Sequence, residues 1–89
     1  MGQVLSAKSI VISYFVANGR EWVSTWYTPY NRAFVTGIRA IPKARYDIHD
    51  KSWACEAKYG AQVEELVRTH FPDIPLNVHD HRANGDLYG

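Results

Sequence analysis

Cysteine is nearly absent from this chain of 89 residues, since Cys55 is the single example. No disulfide bond can therefore form within the chain, as is usual for proteins of a reducing compartment. No segment approaches the ~20 apolar residues that a transmembrane helix needs, and Lys8 interrupts the place where a secretory signal is apolar. These absences argue against a disulfide scaffold and a membrane-spanning protein, and we expect a cytoplasmic protein.

The sequence also lacks the residue groupings that usually mark an enzyme. It has no Gly-rich phosphate loop, no carboxylate pair and no Ser/His/Asp set. Cys55 alternates with Trp53 on a predicted strand, which places the thiol in the core without a histidine to activate it. His79 and His81 flank Asp80, but two alternating histidines are a weak metal signal. We predict no catalysis, no cofactor and no bound metal.

Charge is close to balanced, at a net +1, but it is unevenly distributed. Residues 30–55 hold five cations and two carboxylates, a net +3, whereas residues 56–89 hold three cations and six carboxylates, a net −3. A basic middle segment is a weak indication of an anionic partner on one side of the protein.

Aromatic residues are what the sequence has in abundance: three Trp, six Tyr and three Phe. A chain this short buries only about 60–65% of its unfolded surface, so large side chains must supply its core. We predict a single domain over residues 1–71. Residues 72–89 contain Pro, Asp, Asn and Gly and are predicted to form an extended or flexible C-terminal tail.

The first hairpin is indicated by a β-branched and aromatic run over residues 9–16. Asn18-Gly19 follows, and this dipeptide tolerates the positive φ angles of a type I′ turn. Residues 20–27 form the returning strand. One face then carries the pairs Val11–Trp26, Ser13–Ser24 and Phe15–Trp22, and the other carries Ile10–Tyr27, Ile12–Thr25, Tyr14–Val23 and Val16–Glu21.

Two helices and a second hairpin complete the prediction. Thr28-Pro29 predicts a helix start, because a capping hydroxyl precedes proline at the first helical position, and Pro42 ends this helix. The second hairpin turns at His49-Asp50, which places Tyr46 opposite Trp53, and the second helix covers residues 58–71. The apolar stripe of the first helix consists of Tyr30, Phe34, Val35, Ile38 and Ile41.

The order of these elements predicts an α+β fold of the type ββαββα. Two β-hairpins form one antiparallel sheet, and both helices cover one face of it. The predicted core includes Ile12, Tyr14, Phe34, Ile38, Tyr46, Trp53, Val63 and Leu66.

An ordered series of short motifs occupies the middle of the chain. Residues 30–41 are followed by Pro42-Lys43, Arg45-Tyr46-Asp47 and Lys51-Ser52-Trp53, and then by a helix that begins near Tyr59. This series resembles the HARP domain of annealing helicases, Swi/Snf-type translocases that rewind DNA, and it covers roughly half of the chain. The resemblance implies a small α+β module that binds junctions of single- and double-stranded DNA without catalysis of its own. The sequence holds no motor domain, so a helicase fragment and a free-standing protein both stay open.

The candidate site residues fall into two groups. Phe15, Trp22 and Trp26 are exposed if the helices cover the opposite face of the sheet, and they suit either stacking on unpaired bases or a protein interface or homodimer. Tyr46 and Trp53 form either a stacking platform or, as we favour, a core pair. The candidates for phosphate contact, whose alternative is a solvated charged face, are Arg32, Arg39, Lys43, Arg45 and Lys51.

We therefore expect a non-enzymatic nucleic-acid-binding module whose partner is DNA in a forked or single-stranded form. The alternative is a small phage-type inhibitor or adaptor that binds a host nucleic-acid-handling protein complex, for example a defence nuclease. Near-neutral charge and an aromatic hairpin face suit such a protein interface.

Overall fold

The computed structural model describes residues 9–85. Five strands form one sheet in the order β3-β4-β2-β1-β5, so the chain is an α+β protein as predicted. Residues 1–8 and 86–89, the start of the predicted domain and the end of the predicted tail, lie outside the described part. The elements are β1 Ile10–Ala17, β2 Arg20–Trp26, α1 Arg32–Arg39, β3 Arg45–Asp47, β4 Ser52–Glu56, a 3₁₀ turn Ala57–Tyr59, α2 Gly60–His70, β5 Leu76–Asp80 and a 3₁₀ turn Arg82–Asn84.

The first hairpin has the predicted turn and register. Asn18 and Gly19 have φ angles of 56° and 76°, as a type I′ turn requires. The ladder runs from Ala17–Arg20 to Val11–Trp26. The predicted Ile10–Tyr27 pair is wrong, because β2 ends at Trp26.

The second hairpin keeps the predicted register but has a longer loop. Tyr46 lies opposite Trp53 and Asp47 opposite Ser52, which leaves residues 48–51 as a loop of four residues rather than two. The Asp47 carboxylate explains the difference, since its Oδ1 accepts hydrogen bonds from the backbone N–H groups of His49 at 2.8 Å and Asp50 at 3.1 Å. An aspartate that bonds the backbone in this way favours a turn over continued pairing.

The sheet is mixed, which corrects the prediction of a purely antiparallel sheet. β5 runs parallel to β1, from Ile10–Leu76 to Tyr14–Asp80, and the Ile10 N–H donates to the Pro75 carbonyl at 2.9 Å. The segment predicted as an extended or flexible tail thus contributes an edge strand of the sheet.

Both helices pack on one face of the sheet, where the core lies. Tyr46 was predicted in the core, but it is 49% exposed, and Leu66 is half-buried at the edge of the core. The other predicted core residues are buried. The core cluster consists of Ile10, Ile12, Tyr14, Val23, Phe34, Ile38, Ile41, Trp53, Cys55, Val63, Val67 and Phe71.

Helix α1 begins later than predicted. Its N-cap is Asn31, whose Oδ1 accepts a hydrogen bond from the Phe34 N–H at 2.9 Å. Thr28 and Pro29 are therefore part of a loop, and Tyr30 is 83% exposed rather than on the helical stripe. Asparagine is a more strongly preferred N-cap residue than threonine, and here it satisfies one of the N–H groups that lack a partner in the first turn of the helix.

Candidate functional site

A cavity of about 710 Å³ lies on the helix side of the sheet, between the loop that follows β2 and the hairpin of β3 and β4. We call it the aromatic pocket. Five aromatic side chains line it, from three different parts of the chain. They are Tyr27, Tyr30, Phe34, Tyr46 and Trp53.

Tyr46 and Trp53 form the base of the aromatic pocket. Their ring centroids are 5.1 Å apart, with planes inclined at 54°. Trp53 is only 7% exposed, so it belongs to the core, whereas Tyr46 presents half of its surface to solvent. The pair thus agrees in part with each of the two interpretations of the sequence, a core pair and a stacking platform. Trp53 is a core residue, and Tyr46 offers an accessible aromatic surface.

Exposed aromatic surface is concentrated at this pocket. Tyr27 is 56% exposed and Tyr30 still more so. The described residues include five exposed large apolar side chains, and Tyr27, Tyr30 and Tyr46 are three of them. Such a cluster indicates a binding surface, whereas a single exposed ring would be ordinary.

Two cations and one carboxylate border the aromatic pocket. Arg39 comes from the last turn of α1, while Asp50 and Lys51 come from the loop of the second hairpin. Their charges sum to +1. Lys51 has a φ of 56° and Tyr27 a φ of 68°, values that are uncommon for residues other than glycine and cost free energy. Backbone strain on two sides of one cavity is consistent with a functional site there.

A second cavity, of about 620 Å³, lies where β2, β3 and β4 adjoin on the face that the helices leave open. We call it the cationic pocket. Three cations line it, namely Arg20, Lys43 and Arg45, together with Trp22 and Glu56. Three positive charges against one carboxylate give +2. Among residues 9–85, none of these three cations makes an ion pair within 4.0 Å.

A shallow groove of about 710 Å³ crosses the middle of the same open face. We call it the acidic groove. Val11, Phe15 and Trp26 supply apolar surface, while Asp47 and Asp50 give a charge of −2. Backbone hydrogen bonds from Asp50 and His49 hold the pKa of the Asp47 carboxyl below its usual value, so the Asp47 carboxylate stays charged at neutral pH.

The predicted site residues are thus divided among three surfaces. Arg39 and Lys51 border the aromatic pocket, and Lys43 and Arg45 line the cationic pocket with Trp22. Phe15 and Trp26 lie in the acidic groove, and Arg32 is an exposed residue of α1 that lines none of the three. The structure therefore separates Trp22 from the two aromatics with which the sequence grouped it.

Arg20, Tyr27 and Tyr30 line these pockets but are not among the site residues predicted from the sequence. A signal existed for Arg20, because residues two apart on a strand share a face, so the predicted strand already placed Arg20 beside Trp22. The two tyrosines gave no such signal, since Tyr27 was placed inside a strand and Tyr30 inside a helix. Only the loop between these elements brings them together.

The remaining chemical candidates form no site of their own. Cys55 is buried, and burial, followed by the nearby Glu56 charge, raises the pKa of its thiol to about 11. The His79 and His81 rings stack with centroids 6.0 Å apart, but residues 9–85 contain no group of three or more potential metal ligands. No helix within this part of the chain is long and apolar enough to cross a membrane.

An ionic network fixes the C-terminal end of β5. Arg82 bonds Asp80 at 2.6 Å and Glu21 at 2.9 Å, and its guanidinium lies 4.7 Å from the centre of the Tyr14 ring. Hydrogen bonds from Arg82 lower the pKa of the Asp80 carboxyl to about 2. Burial, followed by the hydrogen bond that Tyr14 donates to Glu64 at 2.6 Å, raises the pKa of the Tyr14 hydroxyl to about 12.

Comparison of the chain with protein-family models, curated proteins and solved structures gives no match. The resemblance to the HARP domain therefore stays a prediction, and the candidate function depends on the geometry of the three surfaces.

Proposed function

We propose that this chain is a non-enzymatic nucleic-acid-binding module that holds unpaired bases of forked or single-stranded DNA in the aromatic pocket. The observation that carries the proposal is the coincidence of three exposed tyrosines with two cations around one cavity. Proteins that bind single strands combine these same components, an aromatic surface for the bases and positive charge for the backbone.

The aromatic pocket is large enough for this role. Its volume of about 710 Å³ lies within the roughly 300–1,000 Å³ of typical small-ligand sites. Stacking of one base on an aromatic ring contributes ~1–3 kcal/mol, and Tyr46, supported by the buried Trp53, is the ring best fixed for it. Arg39 and Lys51 are at the border, where the phosphates of an inserted nucleotide would emerge.

The resemblance to the HARP domain supports DNA junctions as the target. A pocket that stacks bases requires them to be unpaired, and a fork supplies unpaired bases beside a duplex. The proposal therefore predicts tighter binding to a fork than to a blunt duplex with the same number of phosphates.

Fluorescence anisotropy with a labelled fork and a blunt duplex tests the proposed function. We expect the fork to bind more tightly, and its affinity to fall as salt rises, because neutralised phosphates release counterions. The absence of detectable fork binding at low salt would contradict the proposal.

A second candidate is supported by the acidic groove. Its two carboxylates repel a phosphate backbone, whereas its apolar floor of Val11, Phe15 and Trp26 suits the centre of a protein interface. An inhibitor or adaptor could use this groove to bind the basic nucleic-acid surface of a host protein. Under this function a partner captured from host lysate survives nuclease treatment and is lost in Trp26→Ala, while Tyr46→Ala retains it.

A further inference from the structure

The cationic pocket has a defined shape that follows from the strand register. Arg45 of β3 pairs with Ala54 of β4, and Trp22 of β2 pairs with Glu56 of β4. Neighbouring strands are about 4.8 Å apart, so Arg45 and Trp22 are on strands about 10 Å apart. The small Ala54 lies between Arg45 and Ser24, and Trp22 is the next residue of β2 on the same face, diagonally across from Arg45. The alanine leaves room above the sheet, and larger side chains border that room on both sides.

The charges of the cationic pocket are available to a ligand. Arg20, Lys43 and Arg45 are exposed, and the carboxylate that lines the pocket with them is the half-buried Glu56. Arginine guanidinium groups bind phosphate oxygens through two parallel hydrogen bonds, which makes them well suited to phosphate recognition. Three cations around one concavity indicate an anionic ligand more strongly than scattered surface charges would.

The Trp22 side chain adds a planar surface to this anion site. Its indole N–H donates to the Ala17 carbonyl at 3.0 Å, so the polar atom of the ring is already satisfied within the hairpin. The half-buried ring therefore offers a ligand its apolar, aromatic surface. A ligand that matches the whole pocket carries a phosphate beside a planar ring.

We propose that the cationic pocket binds a nucleoside phosphate, with its phosphate on Arg20, Lys43 and Arg45 and its base against Trp22. The nucleoside phosphate has two possible sources, a free nucleotide or one unit of a DNA strand. If the ligand is one unit of a DNA strand, the inference rests on the proposed function. If the ligand is a free nucleotide, its binding does not depend on that function.

The two pockets are on opposite faces of the β3–β4 hairpin. Tyr46 and Trp53 point toward the helix side, and their neighbours Arg45 and Ala54 point toward the open side. A DNA strand that fills both pockets must therefore pass over the short edge strand β3. A free nucleotide would fill the cationic pocket alone.

The three tryptophans of the chain allow each surface to be observed separately. Trp53 lines the aromatic pocket, Trp22 the cationic pocket and Trp26 the acidic groove. In a ¹⁵N-labelled sample, each indole N–H gives one resonance, which a Trp→Phe variant assigns. We would titrate this sample with adenosine monophosphate and, separately, with an oligothymidine of eight nucleotides.

We expect the oligothymidine to shift the Trp22 and Trp53 resonances together and adenosine monophosphate to shift the Trp22 resonance. A Trp22 shift with adenosine monophosphate alone would support the site and identify free nucleotide as its source. If neither probe shifts Trp22, the inference is overturned, and a Trp53 shift with the oligothymidine in that sample would show that the proposed function survives. With the oligothymidine, a Trp22 shift without a Trp53 shift would support the inference and contradict DNA binding at the aromatic pocket.

Charge variants test whether the cations carry the binding. Arg20→Gln and Arg45→Gln should each weaken the affinity reported at Trp22 by about tenfold, as expected for loss of one charge-assisted hydrogen bond. Arg68→Gln, which removes an exposed arginine of α2 outside the pocket, is the matched control and should leave that affinity unchanged. A Trp22 response that keeps its affinity in both arginine variants would overturn the proposed phosphate contact.

Discussion

At the scale of single residues, Tyr46 and Trp53 show how one cross-strand pair can serve two purposes. Trp53 is held in the core, while its neighbour Tyr46 is half-exposed at the same contact. Sequence alternation correctly placed both side chains on the helix side of the sheet. It could not show that Tyr46 stays half-exposed, because that depends on how closely the helices and the loop after β2 pack against it.

Replacement of Tyr46 should reduce DNA binding with little effect on stability. Tyr46→Ala removes an exposed stacking ring, so we expect fork affinity to fall about tenfold, corresponding to the ~1–3 kcal/mol of one stacked base. Ile48→Ala is the control, since Ile48 is an exposed apolar residue of the same hairpin outside the pocket lining. Anisotropy titrations that give Tyr46→Ala the same affinity as Ile48→Ala would exclude a stacking role.

Replacement of Trp53 should instead destabilise the fold. Trp53→Ala removes a large buried side chain, and truncations of this kind cost ~3–5 kcal/mol in the free energy of unfolding. Urea denaturation measures this loss directly. A loss below about 1 kcal/mol, typical of a surface substitution, would mean that Trp53 is not a core residue.

At the scale of secondary-structure elements, the sequence predicted the first hairpin correctly but missed the length of the second hairpin loop and the fifth strand. Asn18-Gly19 fixed the first register because a two-residue turn determines every pair that follows it. The length of the loop of residues 48–51 was predicted wrongly because the Asp47 side chain accepts hydrogen bonds from the backbone of His49 and Asp50, which favours a turn over continued strand pairing. β5 was missed because its parallel pairing with β1 joins residues more than 60 positions apart, and only two of its residues, Leu76 and Val78, are apolar.

The start of α2 gives a prediction that opposes helix propensity. A Cβ atom at Gly60 would overlap the Tyr14 ring, with Cζ at 2.6 Å, and Glu64 holds that ring through its hydroxyl. Propensity alone makes Gly→Ala favourable by up to ~1 kcal/mol, but overpacking costs ~1–3 kcal/mol. We expect Gly60→Ala to destabilise the protein in urea denaturation.

A double-mutant cycle separates this overlap from other effects of the alanine. In a Tyr14→Leu background the ring is gone, so Gly60→Ala should there be neutral or stabilising. An equal loss in both backgrounds would show that the Tyr14 ring is not the cause.

The Asp80–Arg82 ion pair at the end of β5 predicts a specific acid sensitivity. The folded pKa of Asp80, about 2, is below the value of ~3.9 in an unfolded chain. Its contribution to stability is therefore present above pH ~4 and is lost as the pH falls toward 2. Urea denaturation at pH 5 and pH 2.5 should show a smaller decline for Asp80→Asn than for the unmodified chain, and an identical decline would contradict the pair.

At the scale of the whole molecule, the near-neutral net charge conceals two basic surfaces and one acidic surface, with Asp50 at the border of both the aromatic pocket and the acidic groove. The aromatic pocket carries +1, the cationic pocket +2 and the acidic groove −2, by the charged residues that line each. The sequence indicated a basic middle segment, and four of its five predicted cations do line a pocket. It could not indicate how the aromatics are divided among these surfaces, because that depends on which face of the sheet the helices cover.

The central claim is that DNA binds at the aromatic pocket. The salt dependence of fork binding in two charge-matched double variants tests it most directly. Arg39→Gln/Lys51→Gln removes two cations from the aromatic pocket, and Lys58→Gln/Arg68→Gln removes two cations elsewhere, so both lower the net charge equally. Loss of a phosphate contact reduces the slope of log affinity against log salt by about 1. We predict a slope lower by about 2 for the pocket variant and an unchanged slope for the control, whereas equal slopes in the two variants would contradict DNA binding at the aromatic pocket.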